Sequence, residues 1–223
     1  MNADAFAENG FALVPEVFSV DECGAIAGKL ALDAGTSGTR CLLQQAWCAV
    51  LAQRLRQHTV LSNLIGPKLV AVQCTYFEKS AERNWLVAIH QDLSIPVAEH
   101  VDAPELRGWS EKEGALFVQP PIAVLEQLVA IRLHLDVCGT EDGPLRVVSG
   151  SHLAGRIDSA EALRMRDAVG DIACPADLGD VLVLRPLVLH ASSKSRGLSR
   201  RRVLHFVFGP CELPHGLQWP RTA

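Results

Sequence analysis

Residues 84–97, NWLVAIHQDLSIPV, place a histidine and an aspartate two positions apart in a stretch that otherwise reads as a buried β-strand. Side chains two apart in a strand point to the same face, so His90 and Asp92 offer an imidazole and a carboxylate to one point in space. A bound cation would satisfy both groups where water is scarce, which makes their burial tolerable. A second imidazole from elsewhere would complete a two-histidine, one-carboxylate facial triad, a donor set that leaves open positions on Fe(II) for a cosubstrate and dioxygen.

Outward from this stretch, the chain after residue 67 is built of short runs of β-branched and apolar residues punctuated by Gly and Pro. Strands are expected at residues 69–77, 85–91, 129–138, 144–148, 181–184, 187–191 and 202–208, with the Asp142-Gly143 step of EDGPLRVV turning a hairpin between two of them. Before residue 67 the periodicity is helical. SVDECGAIAGKLALDAG opens with Ser19 as N-cap three residues before Glu22 and meets Gly35, and QQAWCAVLAQRLRQH puts Trp47, Val50, Leu51 and Leu55 on one face ahead of the breaker Gly66-Pro67. The expected fold is therefore α+β, one domain over 1–223. Its core is a jelly roll (double-stranded β-helix, cupin-like) over about 67–210, with a helical N-terminal part, about 1–66, packed on it. The segment from Val97 to Gln127 is too long for an ordinary hairpin loop and reads as an insertion that can act as a lid.

Composition narrows the function classes. With 21 basic and 25 acidic residues and a net charge of -4, the chain has no basic stretch able to track a phosphate backbone, so nucleic acid is not an expected partner. No apolar run reaches the length of a membrane span, and no signal-peptide pattern opens the chain. The seven cysteines contain no CxxC pair and suit buried free thiols in a reducing compartment, hence a cytoplasmic protein, monomer or homodimer.

A third metal ligand is offered by His190, which ends an apolar strand in GDVLVLRPLVLHASSKSRGLSRRRVLHF, and Arg201, eleven residues on, can clamp the distal carboxylate of a cosubstrate such as 2-oxoglutarate. A competing pair, His134 and Asp136, lies in AIRLHLDVC on the same alternating face as Arg132. Spacing alone does not choose between the two pairs, because a polar interior wall explains the second equally well.

Three blocks carry a family resemblance. YFEKSAERNWLVAIHQD, DGPLRVVSGSH and the closing block from Gly179 to Phe206 resemble, in that order, the signatures of the phytanoyl-CoA dioxygenase family, the Fe(II)- and 2-oxoglutarate-dependent oxygenases that include ectoine hydroxylase. The resemblance implies His90, Asp92 and His190 as iron ligands and catalytic centre, Arg201 and Ser192 as the 2-oxoglutarate clamp, and Gln73 as an amide near that cosubstrate. Lys79 matches a family lysine of variable role. Ser149 departs from the usual Pro of the hairpin block, and Ile89 stands where an aromatic is common. Because position 92 is an acid, the coordination place that halogenases of this fold leave for chloride is taken, so the resemblance implies hydroxylation.

The implied activity is oxidation of a small-molecule substrate with O2, releasing succinate and CO2. Arg132, His134 and Trp109 are the expected substrate contacts, with His100, Phe117 and Gln119 of the insertion beside them. Arg132 and His134 would otherwise form a buried salt bridge with Asp136. Two other readings use the same residues: a cupin-like Zn or Mn enzyme that does not use 2-oxoglutarate, and a non-catalytic protein that binds metal or 2-oxoglutarate.

Overall fold

The computed structural model describes residues 3–30, 38–197 and 200–223. Thirteen strands are present among these residues: β1 (Phe11–Val14), β2 (Gly38–Thr39), β3 (Leu69–Lys79), β4 (Val87–His90), β5 (Ile95–Val97), β6 (Arg107–Lys112), β7 (Ala115–Gln119), β8 (Val129–His134), β9 (Leu145–Val147), β10 (Ile172–Cys174), β11 (Val181–Leu184), β12 (His190–Ser192) and β13 (Arg201–Pro210). They form a six-stranded sheet in the order β1-β11-β8-β13-β3-β2, a four-stranded sheet β10-β9-β12-β4, and a three-stranded sheet β5-β7-β6. The strand pairs within these sheets are antiparallel, and the two larger sheets are the walls of a jelly roll.

Alternation in the six-stranded sheet separates core from site. Cys74 and Tyr76 of β3, Ile131 and Leu133 of β8, and Leu204, Phe206 and Phe208 of β13 point to one face and are buried in a single cluster with Phe6, Ile26, Leu51, Leu55 and Leu61 from the N-terminal helices. Each such apolar side chain contributes about 1.5–3 kcal/mol by leaving water. The intervening residues Gln73, Thr75, Phe77, Arg132, Arg201, His205 and Val207 face the opposite way, toward the four-stranded sheet, and line a cavity of about 500 Å³. The site therefore lies between the two sheets, with the helices behind it.

The helices follow the sequence with adjustments. They are α1 (Ala3–Asn9), α2 (Val20–Ala27), α3 (Ala46–Gln57), α4 (Thr59–Ile65), α5 (Ile122–Leu125) and α6 (Ser159–Val169). Ser19 caps α2 in a capping box with Glu22, the two reciprocal bonds measuring 3.3 and 2.8 Å. The helix stops at Ala27 with Gly28 as its cap, and the expected terminator Gly35 lies outside the described residues. In α3 the buried face is Cys48, Leu51, Ala52 and Leu55, whereas Val50 is exposed, so the apolar stripe is turned from the one expected. The stretch FALV, within the part expected to be helical, becomes β1 because its alternating burial completes an edge beside β11. Among the described residues no helix is long and apolar enough to cross a membrane. All seven cysteines are free, five of them buried.

One expected turn is corrected. Asp142-Gly143 does not join a hairpin: β8 pairs with β11 and β13, while β9 pairs with β10 and β12, so the segment passes from one sheet to the other. A two-residue hairpin turn of the favoured kind needs positive φ at both central residues, and of this pair Gly143 alone has it (φ 64°). The insertion instead contains its own hairpin, β6 to β7, turned by Glu113 (φ 53°) and Gly114 (φ 74°). Glu113 tolerates that backbone because its carboxylate accepts from Thr39 Oγ1 and Arg40 N at 2.8 Å and from Arg40 Nη1 at 2.9 Å.

Candidate active site

Antiparallel pairing of β4 with β12 sets His90 opposite His190, with ring centroids 4.3 Å apart. Asp92 lies just beyond the end of β4, its N–H donating to Pro186 O at 2.9 Å. Its side chain thus meets the histidines through a chain exit held on Pro186, not through the strand alternation expected from the sequence. Asp92 Oδ1 is 3.6 Å from His90 Nε2, and Oδ2 is 3.7 Å from His190 Nε2.

Hydrogen bonding decides which ring nitrogens face the centre. His90 Nδ1 is 2.8 Å from Ala88 O and His190 Nδ1 is 2.9 Å from Val188 O. A carbonyl only accepts, so both Nδ1 atoms carry the proton and both Nε2 atoms present lone pairs toward the carboxylate. Three electron-rich groups held together in this way fit a divalent cation, and anchoring the far nitrogen on a carbonyl is how metal-binding imidazoles are oriented. Among the described residues, His90, Asp92 and His190 are the group able to hold a metal ion, with ligand atoms within 4.8 Å of one another. Two nitrogens and one carboxylate oxygen are the donor set of non-haem Fe(II).

The electrostatics separate the two imidazoles: desolvation lowers His90, but its contact with the Asp92 carboxylate more than reverses that and raises it above the ordinary histidine value, a shift that a cation between the two groups would remove. Desolvation pushes the Asp92 carboxyl up, but His190, His90 and His205 around it more than reverse that, leaving it well below the usual carboxylate range. Burial lowers the His190 imidazole and keeps it neutral. His205 stands behind the centre: Arg132 Nη1 donates to its Nδ1 (3.4 Å), so Nε2 carries the proton, 4.0 Å from Asp92 Oδ2. Burial first, then the Arg132 charge, lowers His205 to about 3.

A second cluster lies farther along the same wall. Arg201 is opposite Lys79 in the β13–β3 pair, and both side chains are buried. Lys79 Nζ donates to Ser192 Oγ (2.7 Å) and Ser193 O (2.6 Å), and Ser192 Oγ donates to Gly143 O (2.9 Å). Arg201 Nη1 donates to the same Gly143 carbonyl, while its buried Nε has no partner. Burial, then Arg201 and Arg132, lower Lys79 to about 7. Two cationic side chains are thus gathered without an acidic side chain on either, which suits a carboxylate arriving with a ligand.

Several expected contacts fall elsewhere. Trp109 stacks on His100 (4.1 Å between ring centroids) and packs beside Val97 and Leu106 in the apolar cluster of the insertion, so neither ring lines the cavity. His134 is buried behind the lining, both ring nitrogens without partners, and burial followed by Arg132 and Arg201 lowers it to about 3. The expected alternative, a bridge from Arg132 or His134 to Asp136, is absent, because Asp136 accepts from Arg202 at 2.7 and 2.8 Å. Gln73 does line the cavity, as do Phe117 and Gln119. However, six strand positions separate Gln73 from Lys79, about 20 Å of strand, so it stands beyond the His/Asp cup and away from the Arg201 end.

Sequence reading missed Thr75 and Phe77, which follow from the same alternation that places Gln73, and Arg40 and Lys112 at the cavity. It also misread Gly143, whose carbonyl orients both Arg201 and Ser192. A Cβ there would sit 2.4 Å from Ser193 O, so only glycine fits.

The model of the family described as phytanoyl-CoA dioxygenase matches residues 6–203. The chain belongs to the phytanoyl-CoA dioxygenase family. No curated protein matches the sequence. Among solved structures, the chain is similar to the non-haem α-ketoglutarate-dependent carbocyclase SnoK from nogalamycin biosynthesis (TM-score 0.69, 17% identity, 94% of this chain and 83% of that one). It is also similar to EctD from S. alaskensis with bound Fe (0.67, 20%, 96% and 78%) and to HygX from Streptomyces hygroscopicus with nickel and 2-oxoglutarate bound (0.63, 20%, 92% and 84%). At these identities the likeness establishes the shared fold. This family member thus keeps the whole His-Asp-His group at the position between the sheets where its fold forms a cavity.

Proposed function

We propose that the protein is an Fe(II)- and 2-oxoglutarate-dependent dioxygenase, a single-domain enzyme of the cytoplasm, that hydroxylates a small molecule and releases succinate and CO2. The carrying observation is the pair of imidazoles whose Nδ1 protons are held by Ala88 O and Val188 O, so that both Nε2 lone pairs face Asp92. Family membership supports the cofactor pair, as do the iron and 2-oxoglutarate named for similar structures.

Iron bound by His90, Asp92 and His190 supplies the oxidative decarboxylation of 2-oxoglutarate, in which one atom of O2 enters succinate and the other enters the substrate C–H bond as hydroxyl. The protein's part is placement. Arg201, Ser192 and Lys79 would hold the distal carboxylate, with Gly143 O keeping Arg201 and Ser192 aimed. His205 Nε2 lies 4.0 Å from Asp92 Oδ2, behind the cup, and would help to orient that carboxylate toward a bound ion. Leu93, Ile95, Phe117, Leu128 and Val207 line the cavity with apolar surface, which excludes competing water. Arg132, with Gln73 and Gln119 on the same cavity lining, would orient the substrate.

Hydroxylation is the outcome favoured here because Asp92 occupies the third protein position and a similar structure, EctD from S. alaskensis, is described with 5-hydroxyectoine bound. Turnover with O2 should release succinate in step with 2-oxoglutarate consumption only when Fe(II) is present, and His90→Ala should abolish it. Succinate release independent of metal, or unchanged in that variant, would refute this function.

A further inference from the structure

We propose that the substrate is a small carboxylic acid whose carboxylate is taken by Arg132. This rests on the oxygenase reading above and adds the chemical class of the molecule that is oxidised.

Among the described residues the cavity lining carries Arg40, Lys112, Arg132 and Arg201, and its single acidic residue is Asp92, a ligand of the proposed metal. Arg201, with Lys79 beside it, serves the cosubstrate. Arg132 is a different case. The residue is 7% exposed, its Nε has no partner, and its guanidinium meets uncharged groups, His205 through a 3.4 Å hydrogen bond and the Phe77 ring at 5.7 Å. A guanidinium taken out of water without a carboxylate is among the most costly arrangements a folded chain can hold. It persists where a ligand supplies the missing charge.

Charge gives that ligand's sign. A ferrous ion and the 2-oxoglutarate dianion cancel, and Asp92 offsets one cation out of Arg201, Lys79 and Arg132, so the loaded site keeps an excess of positive charge. An anion relieves it, and the planar fork of Arg132 is matched by a carboxylate. Position supports the same assignment. Arg132 is in register with His205, the residue behind Asp92, and its backbone lies four strand positions of β13, about 13 Å, along the wall from that of Arg201. Arg40 is neutralised by Glu113 at 2.9 Å and Lys112 rides on the Phe117 ring, so Arg132 is the buried guanidinium left to receive an anion.

The test is binding, not turnover. Nickel-loaded protein with 2-oxoglutarate is titrated calorimetrically with a panel of carboxylic acids of four to ten carbons, linear and cyclic, each paired with its primary amide. At least one acid should bind about tenfold or more tighter than its amide; that preference should fall to within about twofold in Arg132→Gln and return in part in Arg132→Lys. The dissociation constant for 2-oxoglutarate should stay within about twofold across the three proteins. Should Arg132→Gln fail to fold, the acid and amide comparison in the unaltered protein still decides. Parity of acids and amides there, with 2-oxoglutarate bound, overturns the inference and leaves the oxygenase reading intact. Loss of 2-oxoglutarate affinity in Arg132→Gln overturns it too, assigning the guanidinium to the cosubstrate. Failure of the unaltered protein to bind 2-oxoglutarate at all overturns both.

Discussion

The chain contains the pattern His-x-Asp twice, and the two copies end in opposite circumstances. At His90 and Asp92 the imidazole is pinned through Nδ1 to Ala88 O, and the carboxylate, claimed by no Lys or Arg, opens on the cavity. At His134 and Asp136 the carboxylate is gripped by Arg202 through the backbone N–H and two guanidinium nitrogens at 2.7 to 2.8 Å, and the imidazole is left with neither nitrogen bonded. The spacing is identical, so spacing is not what makes a metal half-site. What matters is whether a cationic side chain has already taken the carboxylate, and whether a carbonyl fixes the tautomer that aims the free lone pair.

The sharpest way to break the comparison is to exchange the losses. Asp92→Ala should cost at least about three orders of magnitude in succinate-forming turnover, ~4 kcal/mol of barrier. Asp136→Ala should leave metal affinity unchanged, because Asp136 touches Arg202 and not the centre.

Next in size is the clamp that depends on the first pair. Arg201→Ala would leave the distal carboxylate without its guanidinium partner and should weaken 2-oxoglutarate binding by about 2–5 kcal/mol by calorimetry, with Arg201→Lys recovering only part. The penalty for Asp136→Ala falls instead on the fold, about 1–3 kcal/mol in urea unfolding, since it strands a partly buried guanidinium.

A smaller, pH-dependent effect comes from Lys79. In the free site its ammonium is held to about pH 7 by burial and by Arg201 and Arg132. A carboxylate beside it favours the protonated form, so binding takes up a proton above that pH. Affinity for 2-oxoglutarate should therefore fall as pH rises through 7, by no more than about tenfold per pH unit, and Lys79→Met should flatten that fall. Smallest of all is His134→Leu. Removing a buried polar ring that has no partner should change stability by less than about 1 kcal/mol, in either direction.

The difference between the two pairs also marks what could be read before the fold was known. Alternation in AIRLHLDVC was legible, because a period of two needs only neighbouring residues, and it set Arg132 on the polar face that lines the cavity, whereas Gln73 came from the family resemblance. The capping box at Ser19 was legible for the same local reason. Arg202 as the owner of Asp136 was not legible, because it arrives from a strand 66 residues away. Gly143 was misread for a related reason: its left-handed backbone was visible in the Asp-Gly step, but the claim of Arg201 and Ser192 on its carbonyl comes from β12 and β13. Trp109 was assigned to the substrate because long insertions often carry contacts, whereas this one folds into a hairpin that stacks its own half-buried aromatic on His100.

The central claim, that a ferrous ion sits on His90, Asp92 and His190, is tested most directly by anaerobic metal titration. Fe(II) is added to the unaltered protein, to Asp92→Ala and to Asp136→Ala, with bound metal counted per chain. One ion should bind tightly to the first and third proteins and none to the second. One ion retained by Asp92→Ala and lost in Asp136→Ala would place the metal on the other pair and contradict the account.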